Sequence, residues 1–153
     1  MAAPLPAYYP PVSFNFAVSI EGFNGAGESS FSEASGLDAE RNIVEIKEGG
    51  ENRFAYRLPD RAKYANLVLK RGVLLGSSGL AKWCKTVLES DMASAIVPKD
   101  LNVVLLDRSG AVLLTWSFKN AWPVKWSVSA LAADKNEIAV ETLELAYTYF
   151  TKF

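Results

Sequence analysis

Apolar side chains fall on every second position over residues 12–20 and again over 112–128, and this spacing restricts the chain more than any other feature. Val12, Phe14, Phe16, Val18 and Ile20 alternate with Ser13, Asn15, Ala17 and Ser19. A helix would scatter such residues around its circumference, whereas a strand collects them on one face, so the pattern specifies half-buried β-structure. Residues 101–106 and 112–118 read as two strands joined through Asp107-Arg108-Ser109-Gly110, a good hairpin connection. Val112, Leu114, Trp116 and Phe118 share one face, and Trp122, Val124, Trp126 and Val128 carry the same even-numbered phase into the next strand.

Shorter strands fill the rest. One is predicted within 28–35, ahead of Gly36; another spans 41–47 and is broken by Gly49-Gly50; a third covers 66–73. The stretch 41–61 is dense in charge and poor in apolar residues after Ile46, which reads as a surface hairpin or long loop. The last strand, 137–150, contains a phase slip. Ile138 and Val140 are apolar on even positions, but Leu143, Leu145, Tyr147 and Tyr149 are apolar on odd ones. A β-bulge near Glu141-Thr142 reconciles the halves, or the two halves face different layers. One helix is predicted over 78–90. Ser77-Ser78 caps it, and Leu80, Trp83, Cys84, Val87 and Leu88 form a stripe at helical spacing. Seven or eight strands and one helix specify a mainly β fold, a sandwich or barrel-like pair of antiparallel sheets with one flanking α-helix. Residues 1–11 are a Pro-rich arm, and 12–153 form a single domain within which 41–63 is an extended loop or hairpin reaching between subunits.

Composition then removes chemistries. The chain has 153 residues, half of them apolar, enough to bury roughly 68–70% of its unfolded surface without a metal or disulfide staple. It has no histidine, and Cys84 is its one cysteine. That excludes Ser-His-Asp and Cys-His catalysis, His-ligated metals and internal disulfides. Glu137, Glu141 and Glu144 share a strand, but the phase slip leaves their common face open, and no acid–base pair can be chosen. The glycines at 22, 25 and 27 do not spell a phosphate loop. The four tryptophans fall on apolar phases and read as core, with a ligand platform as the alternative. No catalytic, cofactor-binding or metal site is expected.

The net charge is −1, unevenly placed: residues 1–40 carry five acids and no base, and 41–71 carry eight bases against four acids. Either these are two solvated surfaces, or they make copies complementary head to tail. The first Lys or Arg is Arg41, so a leader lacks its positive region, and no apolar run is long enough to span a bilayer. The expectation is synthesis and folding in the cytoplasm. Long apolar strands with few prolines or inward charges leave sheet edges to be covered by other subunits.

Several segments together resemble the tail tube proteins of contractile phages and of phage tail-like extracellular injection systems. They are Pro11-Val12-Ser13-Phe14-Asn15-Phe16, then Phe31-Ser32-Glu33-Ala34-Ser35-Gly36-Leu37, Glu48-Gly49-Gly50-Glu51-Asn52, Arg57-Leu58-Pro59 and Leu67-Val68-Leu69-Lys70-Arg71-Gly72. The most specific is Phe118-Lys119-Asn120-Ala121-Trp122-Pro123-Val124-Lys125-Trp126, supported by Asn136-Glu137 and Glu141-Thr142-Leu143-Glu144-Leu145. They run in the family's order over nearly the whole chain. Lys135 stands where the family often has glycine.

The resemblance implies a tail-tube fold whose subunits form homo-hexameric rings. The rings stack into an inner tube with a lumen for cargo or DNA, inside a contractile sheath and between baseplate and tube-terminating proteins, in a virion tail or extracellular particle. The end of the chain directly after the last strand favours the repeating tube subunit over a tube-initiating one. Subunit-interface candidates are Arg41, Glu45, Lys47, Glu48, Arg53 and Arg57. The competing reading is a monomeric small-ligand-binding β-barrel with tryptophans lining its pocket.

Overall fold

The computed structural model describes residues 15–23, 30–73, 78–90, 95–134 and 136–153. The Pro-rich arm, Val12 to Phe14, the turn around Gly25 and Gly27, Ser77 and Lys135 lie outside them. Nine strands and one helix follow in order: β1 (Phe16–Ile20), β2 (Glu33–Ser35), β3 (Ala39–Ile46), β4 (Tyr56–Tyr64), β5 (Leu67–Gly72), α1 (Gly79–Glu89), β6 (Lys99–Leu106), β7 (Val112–Val128), β8 (Val140–Ala146) and β9 (Tyr149–Lys152). The architecture is mainly β with antiparallel pairing throughout, as the alternation demands.

One strand organises the sheets. β7 is a single 17-residue strand, not the two expected on either side of Asn120. Its first half pairs with β6 and β9, and its second half pairs with β8. The resulting order is β1-β6-β7-β8-β5-β2, with β9 beside the first half of β7. The bend comes from Asn120, whose φ of 55° is a left-handed conformation that asparagine tolerates better than most residues. Asp100 holds the corner, accepting from the Asn120 backbone N–H at 3.2 Å and from Lys119 Nζ at 3.1 Å. Those two partners, the Asn120 amide first, hold the Asp100 carboxyl below its ordinary range. The strand's side-chain phase shifts with the bend. Phe118, Ala121 and Pro123 point inward, and a register shift between Pro123 and Lys125 returns Trp126 to the core side. Trp122, expected inward, is instead 37% exposed.

The β8–β9 segment crosses between the sheets in the same way. The expected bulge at Glu141-Thr142 is absent: Glu141, Leu143 and Leu145 are all buried in unbroken alternation along β8. The phase changes later, at Tyr147-Thr148, where the chain passes from β8 to β9 and Phe150 turns inward in place of Tyr149. Ile138 lies before β8 and is exposed. The carboxylates of Glu137, Glu141 and Glu144 therefore share no face, since Glu137 is exposed outside the strand and Glu141 and Glu144 alternate across it.

The core is one cluster. Val18, Ile20, Leu101, Val103 and Phe118 come from one sheet half, Leu67, Leu69, Leu143 and Leu145 from the other, and Leu80, Trp83, Cys84 and Val87 from α1. The helix stripe is the expected one except for Leu88, which is 38% exposed. Ser78 caps the helix by accepting from the Ala81 N–H at 3.0 Å. Trp83 is buried and donates Nε1–H to the Val97 carbonyl at 2.9 Å, while Trp116 and Trp126 pack against the cluster.

Candidate functional site

β3 and β4 form a two-stranded sheet separate from the body. Every residue of β3 and all of β4 except Tyr64 are exposed. Two-stranded hairpins are marginal by themselves. The root of this one, the β3–β4 arm, is well anchored. Tyr64 packs on Tyr147 and Phe150 with ring centroids 5.9 and 5.3 Å apart, and Tyr147 donates its hydroxyl to the Ala65 carbonyl at 2.7 Å. Gly36, at φ +84°, turns β2 into the arm where the Asn66 carbonyl leaves no room for a Cβ.

Register divides the arm into two faces, because directly paired residues point the same way. Val44 opposes Leu58 and Ile46 opposes Tyr56, and Phe54 adds an edge-on ring contact to Tyr56 at 5.2 Å. All five are exposed, making a contiguous apolar face. Ile43 opposes Pro59 and Glu45 opposes Arg57 on the other face.

All six interface candidates from the sequence lie on this arm. Arg41 and Glu45 are on β3, Arg57 is on β4, and Lys47, Glu48 and Arg53 are in the tip connection. Arg57 and Glu45 approach to 4.0 Å with both side chains exposed, a contact worth under about 1 kcal/mol. Arg41 Nη1 donates to the Asp60 carbonyl at 2.9 Å, and Arg53 pairs with Glu51 at 3.0 Å, which lowers the Glu51 carboxyl. The structure brings the six onto one element but into no common cluster. Sequence reasoning missed the apolar face. Its signal was the alternation Val44, Ile46 and Tyr56, Leu58, hidden because charges occupy the intervening positions.

A second feature is the set of open edges. β1, β2 and β9 each pair on one side only, as does the second half of β7, among the described residues. In the sheet β7-β8-β5-β2 the outward face carries aligned rows. Lys125 registers with Glu144, Glu144 with Val68, and Val68 with Ser35; Ser127 registers with Thr142, Thr142 with Lys70, and Lys70 with Glu33. Lys70 and Glu33 approach to 3.8 Å. The two open edges of this sheet thus present opposite charges, Lys125 on β7 and Glu33 on β2.

A ligand pocket is not where the tryptophan reading put it. The enclosed space between α1 and the sheets, lined by Leu80, Cys84, Trp126 and the buried Arg71–Glu141 pair among others, has a volume of about 10 Å³, room for a single water. Among the described residues no group of three or more His, Cys, Asp or Glu could hold a metal, and no helix is long and apolar enough to cross a membrane. Burial pushes the Cys84 thiol up to about 12, from an ordinary 9.0. Its contribution to stability is complete below pH 9 and is lost as pH rises from there toward 12. At pH 8 in native buffer, Cys84 should react with a thiol-specific disulfide reagent only at the rate of unfolding, and immediate labelling would show that the helix does not cover it.

The model of the family "T4-like virus tail tube protein gp19" matches residues 12–151. The chain belongs to that family. It is a structural tail tube protein of contractile phage-type machinery, not an enzyme, and a component of a phage tail or extracellular injection particle. Solved structures agree. A chain of the anti-feeding prophage baseplate is 29% identical with a TM-score of 0.82, the match covering 95% of this chain and 97% of that one. A chain of the sheath–tube complex of an extracellular contractile injection system, in the extended state, is 26% identical with a TM-score of 0.80, covering 96% and 93%. Hcp1 of Flavobacterium johnsoniae shares the fold at 16% identity and a TM-score of 0.51, over 90% of this chain and 93% of that one. No curated protein matches. The tail tube fold with its filled interior replaces the monomeric ligand-binding barrel as the reading of this sequence.

Proposed function

We propose that copies of this tail tube protein close into hexameric rings, that the rings stack into a tube with a lumen for cargo, and that the β3–β4 arm makes contacts between subunits. The observation that carries this is the arm itself: an anchored hairpin with an uncovered apolar face is stable only against another surface. Of the six charged residues, Glu45 and Arg57 lie on the opposite face, Arg41 near the root and Lys47, Glu48 and Arg53 at the tip, and together they set the arm's register on the neighbour. Burying the face contributes the larger energy in sum: its five side chains are 45–51% exposed, so covering each is worth about half of the roughly 1.5–3 kcal/mol of full burial, against under about 1 kcal/mol for an exposed ion pair. Structural neighbours drawn from baseplate, cap and sheath–tube assemblies support a tube that ends on a baseplate and a terminator and runs inside a sheath. Synthesis in the cytoplasm precedes assembly.

Ring closure follows from the open edges. Strands β7, β8, β5 and β2 alternate in direction, so β2 of one copy meets β7 of the next antiparallel, and the addition repeats without a fault in polarity. With the rows continued straight across the junction, Glu33 meets Ser127 and lies diagonal to Lys125, within reach of that long side chain. Electron microscopy and size measurement of the purified protein test the proposal: annular or tubular particles are expected, and a persistent 17 kDa species at high concentration would refute it. Glu33→Lys should abolish rings, and adding Lys125→Glu should restore them. Glu33→Lys protein that still forms rings, or a double variant that stays without them, would place closure at other edges.

A further inference from the structure

The β7–β8 connection, residues 129–139, is the second large unpartnered apolar feature of the molecule. Leu131 is 83% exposed and Ile138 84% exposed, more than any other large apolar residue described. With Ala130, Ala132, Ala133 and Ala139 they border an open recess of about 560 Å³. Among the described residues nothing covers it.

Its position relative to the arm follows from register. Leu67, the first residue of β5 after the arm returns, pairs with Leu145, which pairs with Pro123. Gly72, the last residue of β5, pairs with Val140, and Val128 pairs with Glu141. The arm therefore leaves one end of the sheet β7-β8-β5-β2, and the 129–139 connection leaves the other, about 20 Å away at the usual rise per residue. Two different apolar surfaces at opposite ends of one sheet cannot satisfy each other within a copy, but they can between copies in line. A contact of that kind is heterologous and does not close, so it repeats along an axis. Charge is compatible: residues 129–139 carry Asp134 and Glu137 against Lys135, and 39–64 carry six bases against five acids.

We infer that the β7–β8 connection is the receiving surface for the β3–β4 arm of a second copy in the next ring, with Leu131 and Ile138 meeting the face formed by Val44, Ile46, Tyr56 and Leu58. This rests on the tube reading and adds to it the identity of the axial socket. Leu131→Ser with Ile138→Ser tests it in the full chain. Both side chains lie outside the core, so the thermal midpoint should stay near wild type. Rings should persist while stacks shorten, because each lost apolar contact weakens ring-to-ring association by about tenfold or more. As a second arm of the test, Leu58→Cys and Ile138→Cys proteins are mixed under mild oxidation, with Cys84 left buried in place. A disulfide-linked dimer is expected in the mixture and not in either protein alone. Wild-type tubes alongside double-variant tubes of unchanged length, or tubes in the mixture without the cross-link, would overturn the socket and leave the tube reading intact. Wild-type protein that forms neither rings nor tubes would bring down both.

Discussion

Replacing Glu141 by Ala is expected to destabilise the subunit by roughly 3–5 kcal/mol, the range for breaking a buried ion pair by removing one partner. Glu141 and Arg71 are directly paired residues of β8 and β5, each less than 10% exposed, with Nε and Oε2 2.8 Å apart. The Phe31 ring lies 5.3 Å from the guanidinium, and α1 closes over the pair through Leu80, Ala81 and Cys84. Deleting the carboxylate removes the ion-pair partner of a guanidinium that is itself 6% exposed, beside a space with room for about one water. Small domains have 5–15 kcal/mol in total, so the loss removes a large share of that margin. Urea unfolding measures it. The control is Arg71→Met with Glu141→Leu, which should recover most of the loss because an apolar pair there carries no desolvation cost. A single variant within about 1 kcal/mol of wild type would mean that water or a neighbouring group compensates the charge.

Gly36→Ala is expected to cost roughly 3 kcal/mol, combining a left-handed φ with a steric collision. The added Cβ meets the Asn66 carbonyl, which belongs to backbone and cannot rotate away. Gly50, at φ +93° in the tip of the arm, has nothing within 4 Å of such a Cβ. Gly50→Ala should therefore cost only about 1 kcal/mol, the strain of the conformation alone. The difference between the two isolates the collision. Because the collision sits at the root of the arm, Gly36→Ala should also reduce assembly more than its loss of stability explains, compared at a temperature where both variants are folded. Equal midpoints for the two variants would show that the arm's root moves freely enough to absorb a side chain.

The fold was legible where apolar periodicity and burial coincide. β1, β5 and β6 and the helix stripe of Leu80, Trp83, Cys84 and Val87 appear where alternation or helical spacing puts them, because each buries one face against a single core. The readings failed where a strand changes layer. Across Asn120 the even phase suggested two strands facing one way, but a left-handed residue and a register shift let one strand serve both sheets and turn Trp122 outward. At the end of the chain the slip was visible in Leu143, Leu145, Tyr147 and Tyr149, yet its place was not. Glu141 looked like an interruption because a charged residue on an inward position is interpretable only once Arg71 is seen beside it.

Taken alone, the sequence determined the mainly β class, the single helix, the lack of a histidine- or disulfide-based chemistry, and the family, since ordered motifs over most of the chain carry that information directly. It also placed the charged candidates in one segment. Tertiary structure alone decided that this segment is an uncovered hairpin, that Val44, Ile46, Phe54, Tyr56 and Leu58 form its apolar face, and that Leu131 and Ile138 lie at the opposite end of the sheet. The physical reason is that alternation reports which residues share a face. It does not report whether that face meets the chain's own core or waits for another molecule, and only the packing of the whole chain separates the two.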